Sequence, residues 1–409
     1  MQTKQAQIVV DFPQLQQKAF FQGLVITPPL SECEVCVIVP ARNEAQTLNA
    51  TLAALANQVD LQGTPLDPKR YEVILLANNC SDRSADIART FATQHPDINL
   101  HVVEITLPPS EAYIGRVRQI LMDEAYHRLN SLGRKRGIIA STDGDSQVSK
   151  TWVAANMYEI ASGADAVGGR ILTDKAGRAA LHPYAKACHL REVGYRYLIA
   201  ELESHIDPTE CVSEADRRYR FPRHYQHYGA SLAVTSEMYA LAGGLPPVRT
   251  PEDVAFYQAL LRVNARFRHS PKVRVVTSAR VTGRTDIGLA NQLNEWAKMG
   301  KQKQPFLVES AVAIKTRLTA RHQLRMLWLQ LLDGHQPQQE EVINIAELLC
   351  VNSQWLLEEI QQPQTFGKLF ERVEQRQEFE GIWNSRFAKV DIEEAIRELR
   401  FLRKTFTLG

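Results

Sequence analysis

The stretch Val35-Cys36-Val37-Ile38-Val39-Pro40-Ala41-Arg42-Asn43-Glu44 decides how this chain is read. A continuous run of apolar, mostly β-branched residues stopped by a proline is the pattern of a strand buried on both faces, as in parallel sheets. Leu48, Leu52 and Leu55 then recur at helical spacing behind Glu44, with Asn43 as the expected cap. The segment reads strand, turn, helix.

Outward from it the unit repeats. Tyr71 to Ala77 is a second apolar strand, followed by the turn Asn78-Asn79-Cys80-Ser81-Asp82 and a helix carrying Ile87, Ala88 and Phe91. A strand over 100–105 precedes a long amphipathic helix marked by Ile114, Val117, Ile120, Leu121, Ala125 and Leu129. Ile138-Ile139-Ala140 leads into the turn Asp143-Gly144-Asp145, and a helix over 152–161 and a strand over 164–171 follow. Alternation of this kind predicts an α/β fold: a Rossmann-like, mostly parallel, doubly wound sheet covered by helices. Ligands in such sheets bind beyond the carboxyl ends of the strands.

Between Thr173 and Tyr228 the strand rhythm stops, and this His-rich stretch with Arg217, Arg218, Arg220 and Arg223 reads as an insertion over the site. Regular structure returns with a strand over 230–234, a short helix ending at Gly243-Gly244, a helix from Pro251 to Arg262 and a last strand over 273–277. Beyond about Gln292 the apolar patterns are helical. The expected organisation is an N-terminal arm over 1–34, an α/β domain over 35–290 that includes the 173–228 insertion, and a C-terminal helical region over 291–409.

Composition narrows the function classes. The 409 residues are 44% hydrophobic and carry 48 Lys+Arg against 46 Asp+Glu, which describes a globular chain with no electrostatic case for wrapping nucleic acid. Six Cys without a short secreted framework fit reduced thiols. Met1 to Asp11 lack a signal-peptide pattern, and no apolar run reaches the ~18 residues of a membrane span. A soluble cytoplasmic protein is expected, with peripheral membrane contact left open.

Three motifs carry chemistry. In Ser141-Thr142-Asp143-Gly144-Asp145-Ser146, two carboxylates one residue apart at the end of a buried strand can share a divalent cation and a ribose; Asp-Gly is also a default turn. Thr250-Pro251-Glu252-Asp253 has the composition of a helix start, Thr capping and Pro first, and equally places Asp253 where a general base can accept a hydroxyl proton. Pro40 to Glu44 lacks a glycine-rich phosphate loop, so a metal rather than this loop is expected to hold a diphosphate.

In order along the chain these elements resemble family 2 glycosyltransferases of the GT-A fold. The matching pieces are Val37 to Glu44, Ser81-Asp82, Gly115 with Arg116 and Arg118, Thr142-Asp143-Gly144-Asp145 (a DXD motif), Gly229-Ala230-Ser231, Gly243-Gly244-Leu245 and Glu252-Asp253, spanning about 35–285. The resemblance implies an inverting transfer from a nucleotide-sugar donor, of the hexosyltransferase kind. Pro40, Ala41, Arg42 and Glu44 would line the base and ribose. Asp143 and Gly144 would face the ribose or diphosphate, and Asp145, with Asp143, would ligate Mn²⁺ or Mg²⁺. Arg118, with Arg116, would neutralise the leaving group. Asp253 would deprotonate the acceptor, with Glu252 beside it, and His269 and Arg284 fall where related enzymes close the diphosphate site.

One departure stands out. Family members usually read the nucleobase with an Asp after the second strand, where Ala77 and Asn78 stand here; Asn78 still offers a donor and an acceptor. Two alternatives share the architecture: a sugar-phosphate nucleotidyltransferase, which wants a Gly-rich first loop, and a non-catalytic nucleotide-sugar or glycan-binding protein, against which the intact Asp145 and Asp253 speak. The acceptor, whether small molecule, lipid or glycan, is not legible. Cys33-x-x-Cys36 runs into a strand, unlike a redox pair, and His224-x-x-His227 with Cys188, His189 and Cys211 is a minor zinc option. The C-terminal leucine stripes read as core, then as a homodimer or membrane-docking face.

Overall fold

The computed structural model of the protein describes residues 23–207, 223–280 and 288–407. Its strands are β1 Val35–Ala41, β2 Tyr71–Asn78, β3 Leu100–Ile105, β4 Ile138–Ser141, β5 Ser146–Val148, β6 Ala166–Thr173, β7 Leu232–Thr235 and β8 Phe267–Thr277. They form one sheet in the order β3-β2-β1-β4-β7-β6-β8-β5. The first four run parallel, and β6 runs parallel to β8. Two strands depart from the expected parallel winding: β7 is antiparallel to β4 and β6, and β5 is antiparallel to β8. β5 has a single apolar residue, Val148, too little for a periodic signal; it exists through its pairing with Val275 to Thr277.

Pleating sorts β1 onto two cores. Val35, Val37, Val39 and Ala41 pack with Leu48, Leu52, Leu55 and Trp152 on one face, whereas Cys36 and Ile38 pack with Val117, Ile120, Leu121 and Leu129 on the other. The helices on the first face are α1 Leu48–Ala56, α2 Ser84–Gln94 and α4 Trp152–Ala161, and α3 Ile114–Ser131 covers the second. Each fully buried Val, Ile or Leu adds roughly 1.5–3 kcal/mol, so this sheet centre is the rigid base of the molecule.

Local expectations change at three places. α1 starts after Thr47, not at Asn43, because Asn43 takes a left-handed conformation (φ 56) that a short polar side chain tolerates. The later helix begins at Glu252, with Pro251 rather than Thr250 in the capping position. β8 starts at Phe267, ahead of the apolar run from Val273; its register on β6 shifts between Gly169 and Arg170, which leaves Pro271 free of the ladder bond it cannot donate.

The 173–228 stretch contains helices, α5 Lys175–Ala180 and the long α6 Pro183–Ile206, and its residues 208–222 lie outside the described ones, including Cys211, Arg217, Arg218 and Arg220. α6 packs Tyr195 and Leu202 against Ile314 and Leu318 of helix Ala311–Leu332 and against Ile392, Ala395 and Leu399 of the last helix. The C-terminal region is helical as expected, apart from a two-residue antiparallel pairing of Leu307–Val308 with Val390–Asp391. It also grips helix Glu252–Arg262. Arg262 forks onto Glu371 at 2.5 and 2.6 Å, and Gly367 lies so close to the Leu261 carbonyl that a Cβ would sit 1.8 Å from it.

Candidate active site

Most of the motif residues meet at the carboxyl ends of β1, β2 and β4. The first two turns are stitched together: Ser81 N donates to Asn43 Oδ1 (2.7 Å), Ala45 N to Asp82 Oδ2 (3.0 Å) and Glu44 N to Ser84 Oγ (2.8 Å). The acidic turn joins them, because the Gly144 carbonyl accepts from Thr51 Oγ1 at 3.0 Å, and a Cβ at Gly144 would come within 3.1 Å of Glu44. Pro40, Ala41 and Glu44 are buried here, while Arg42 is exposed and reaches the Ala112 carbonyl.

Arg118 is the hub. Its side chain is 3% exposed, and it donates to Glu252 Oε1 (3.0 Å), Asp143 Oδ1 (3.0 Å), the Gly229 carbonyl (3.2 Å) and Ser141 Oγ. Gly229 in turn donates its N–H to Asp253 Oδ2 at 2.9 Å, and Asp253 Oδ1 accepts from Val254 N at 2.8 Å. Glycine is required at two of these approaches. A Cβ at Gly229 would lie 2.5 Å from Arg118 Cζ, and one at Gly115 would lie 1.9 Å from the Val248 carbonyl. Burial pushes the Glu252 carboxyl up, with Arg118 opposing and Asp253 adding. Burial alone would lower Arg118, but Asp143 and Glu252 raise it and keep it cationic.

Asp145 lies deeper than Asp143. It accepts from Ser278 Oγ (2.6 Å) and Thr277 Oγ1 (3.4 Å) and is ion-paired with Arg280 (3.2 Å), and burial, then the Asp143 charge, raises its carboxyl. Arg280 also forks onto Glu44 at 3.1 Å to each oxygen. Asn78 ends β2 with its side chain buried, and its Oδ1 has no hydrogen-bond partner among the described residues.

The structure brings together Pro40, Ala41, Glu44, Arg118, Asp143, Gly144, Asp145, Glu252 and Asp253, with Asn78 at the end of the neighbouring β2. Arg116 binds Glu111 and Gln119 at the start of α3 instead. His269 sits in an aromatic cluster with Phe267, His227 and Tyr257, earlier on the strand that ends with Thr277 beside Asp145. Arg284 lies outside the described residues. Sequence reading missed Ser278 and Arg280, which have no local signature, since Arg280 meets Glu44 across 236 residues.

The minor options fare differently. His224 spends both ring nitrogens on the chain, on the Ser270 carbonyl (3.1 Å) and Gln226 N (3.1 Å), and Cys188 packs in a separate core, so among the described residues the zinc option is not assembled. Burial holds His224 and His227 down to about 4. Cys33, Cys36 and Glu72 place three ligand atoms together, but Glu72 is forked onto Arg128 at 2.8 and 2.7 Å, and burial pushes the Cys36 thiol up. Among the described residues no helix is long and apolar enough to cross a membrane.

Comparison with known proteins gives the following. The family model "Glycosyl transferase family 2" matches residues 36–213. Glycosyltransferase AglE of Haloferax volcanii is 25% identical over 138 residues, 34% of this chain and 39% of that protein, so the match spans well under half of the relative. Mannosyltransferase PcManGT from Pyrobaculum calidifontis, solved with GDP-Man and Mn²⁺, aligns over 81% of this chain and 74% of that one at 19% identity and TM-score 0.39. S. aureus TarS 1-349, solved with UDP-GlcNAc, aligns over 85% and 92% at 13% identity and TM-score 0.40. The motif-bearing turns after β1, β2 and β4 all lie inside the matched segment, so it is residues 36–213 that are similar to glycosyl transferase family 2.

Proposed function

We propose that the chain moves a sugar from a nucleoside-diphosphate-sugar to an acceptor hydroxyl by inverting single displacement. The observation that carries this reading is the single buried guanidinium of Arg118, which ties the donor turn (Asp143) to the start of the helix bearing Glu252 and, through Gly229, Asp253. Donor-binding and acceptor-activating groups are thereby held in one frame, which is what positioning two reactants requires.

Pro40, Ala41 and Glu44 line the nucleoside, and the unpartnered Asn78 Oδ1 is a ready acceptor for a base N–H. Asp145 and Asp143 suit a divalent cation: their oxygens are hard donors, and a guanidinium already sits on Asp145 as a stand-in charge. When bound there, Mn²⁺ or Mg²⁺ neutralises charge on the leaving diphosphate. Asp253, oriented by the N–H groups of Gly229 and Val254, accepts the acceptor's proton. Arg118 spends its donors on protein atoms, so its part is to position these acids rather than to touch the diphosphate.

The test is a panel of nucleotide-sugars assayed for Mn²⁺-dependent binding and transfer. Asp145→Ala should lose donor binding, and Asp253→Ala should bind donor without transferring. The reading fails if no donor binds, or if both variants transfer normally.

A further inference from the structure

Arg280 bridges two carboxylates from distant parts of the chain. Its Nη1 and Nη2 lie 3.1 Å from the two Glu44 oxygens, and Nη2 lies 3.2 Å from Asp145 Oδ2. The Glu44 and Asp145 side chains are 8% and 10% exposed, the Arg280 side chain 33%. The acids therefore belong to the wall of the site and the guanidinium to its open side. Glu44 is further fastened by Thr47 Oγ1 (3.0 Å) and Asp145 by Ser278 Oγ (2.6 Å), so neither acid is free to follow the arginine if it leaves. Buried carboxylates gathered in this way need a counter-charge, and a planar fork is the side chain that can serve two at once.

We propose that Arg280 is the resident counter-cation of the Glu44/Asp145 pair and competes with the divalent cation for Asp145. This rests on the donor-site reading given above. A cation arriving alone has to displace the guanidinium from Asp145. A cation arriving with a nucleoside diphosphate brings an anion with which the released guanidinium can pair. Arg280 thus keeps the affinity for bare metal low and favours metal that comes with donor.

The experiment measures binding of Mn²⁺ alone to the full chain, from the electron paramagnetic resonance signal of the free ion. Arg280→Gln should bind Mn²⁺ about five- to tenfold more tightly than wild type, tenfold being 1.4 kcal/mol. Arg280→Lys, which keeps the charge but not the fork, should fall between them. Asp145→Asn should abolish binding in both the wild-type and Arg280→Gln backgrounds. Circular dichroism confirms that each variant is folded. Equal or weaker binding by Arg280→Gln, with Asp145→Asn still abolishing it, overturns the counter-cation role and leaves the donor site standing. Retained binding in Asp145→Asn, or none in any protein, overturns both.

Discussion

Replacing Arg118 by leucine tests the frame on which the site depends. The substitution removes the donors to Glu252, Asp143, Ser141 and the Gly229 carbonyl, and leaves Glu252, whose side chain is 5% exposed, buried without its partner. Breaking one side of a buried ion pair costs about 3–5 kcal/mol. Asp143, at 33% exposure, adds less, because solvent screens it. We therefore expect Arg118→Leu to lower stability at pH 7.5 by about 3–5 kcal/mol, read from urea midpoints at common slope. In Arg118→Leu/Glu252→Leu no buried charge is stranded, and the double variant should recover at least about 2 kcal/mol relative to additivity. The pH sign follows from the direction already present at Glu252, which is raised by burial and opposed by Arg118. Without Arg118 its folded-state value rises further. The deficit of the single variant should then be largest at high pH and shrink as pH falls and the carboxyl takes up its proton. A single-variant cost under about 1 kcal/mol, or strict additivity of the pair, would refute the hub.

Gly115→Ala puts a Cβ 1.9 Å from the Val248 carbonyl and 3.2 Å from Glu252 Cβ, so it should cost about 1–3 kcal/mol and reduce transfer by displacing the start of the Glu252 helix; an unchanged melting temperature and rate would sink this account. His224, held at about 4 against an ordinary 6.5, contributes stability that is present above pH 6.5 and lost as pH falls toward 4, at most about 3 kcal/mol. Melting temperature should drop across that window, more gently in His224→Gln, and a parallel drop in the variant would show that the titration lies elsewhere. Glu72, held at about 2 by Arg128 and His101 against the burial that would raise it, adds a second loss only between pH 4.5 and 2.

Legibility followed the range of the interactions. Val35 to Val39, Tyr71 to Ala77 and Ile138 to Ala140 announce their burial by composition alone, because a strand covered on both faces has no polar position to spend. The acidic turn and the Glu252-Asp253 pair were conspicuous only through their order along the chain, since Asp-Gly turns and acids at helix starts are common by themselves. Asn43 does not cap α1: its side-chain oxygen accepts instead from Ser81 N, 38 residues away, a partner that no local pattern announces. β5 and the early part of β8 stayed hidden, since their pairing is carried by backbone groups common to all side chains.

The role of Arg118 could not be read locally. Its spacing in α3 marks it as a motif residue, yet whether its guanidinium faces a diphosphate or the interior depends on Glu252, 134 residues away. The last hundred or so residues gained a physical reason only in three dimensions: they brace α6 and the far end of the helix that begins with Glu252 and Asp253. The sequence by itself determined the central strands, the helices that cover them and the turns that carry acids, since local periodicity and turn chemistry are written residue by residue. Tertiary structure alone decided which charges face one another, because pairing at 3 Å is a property of two chain segments and is encoded in neither.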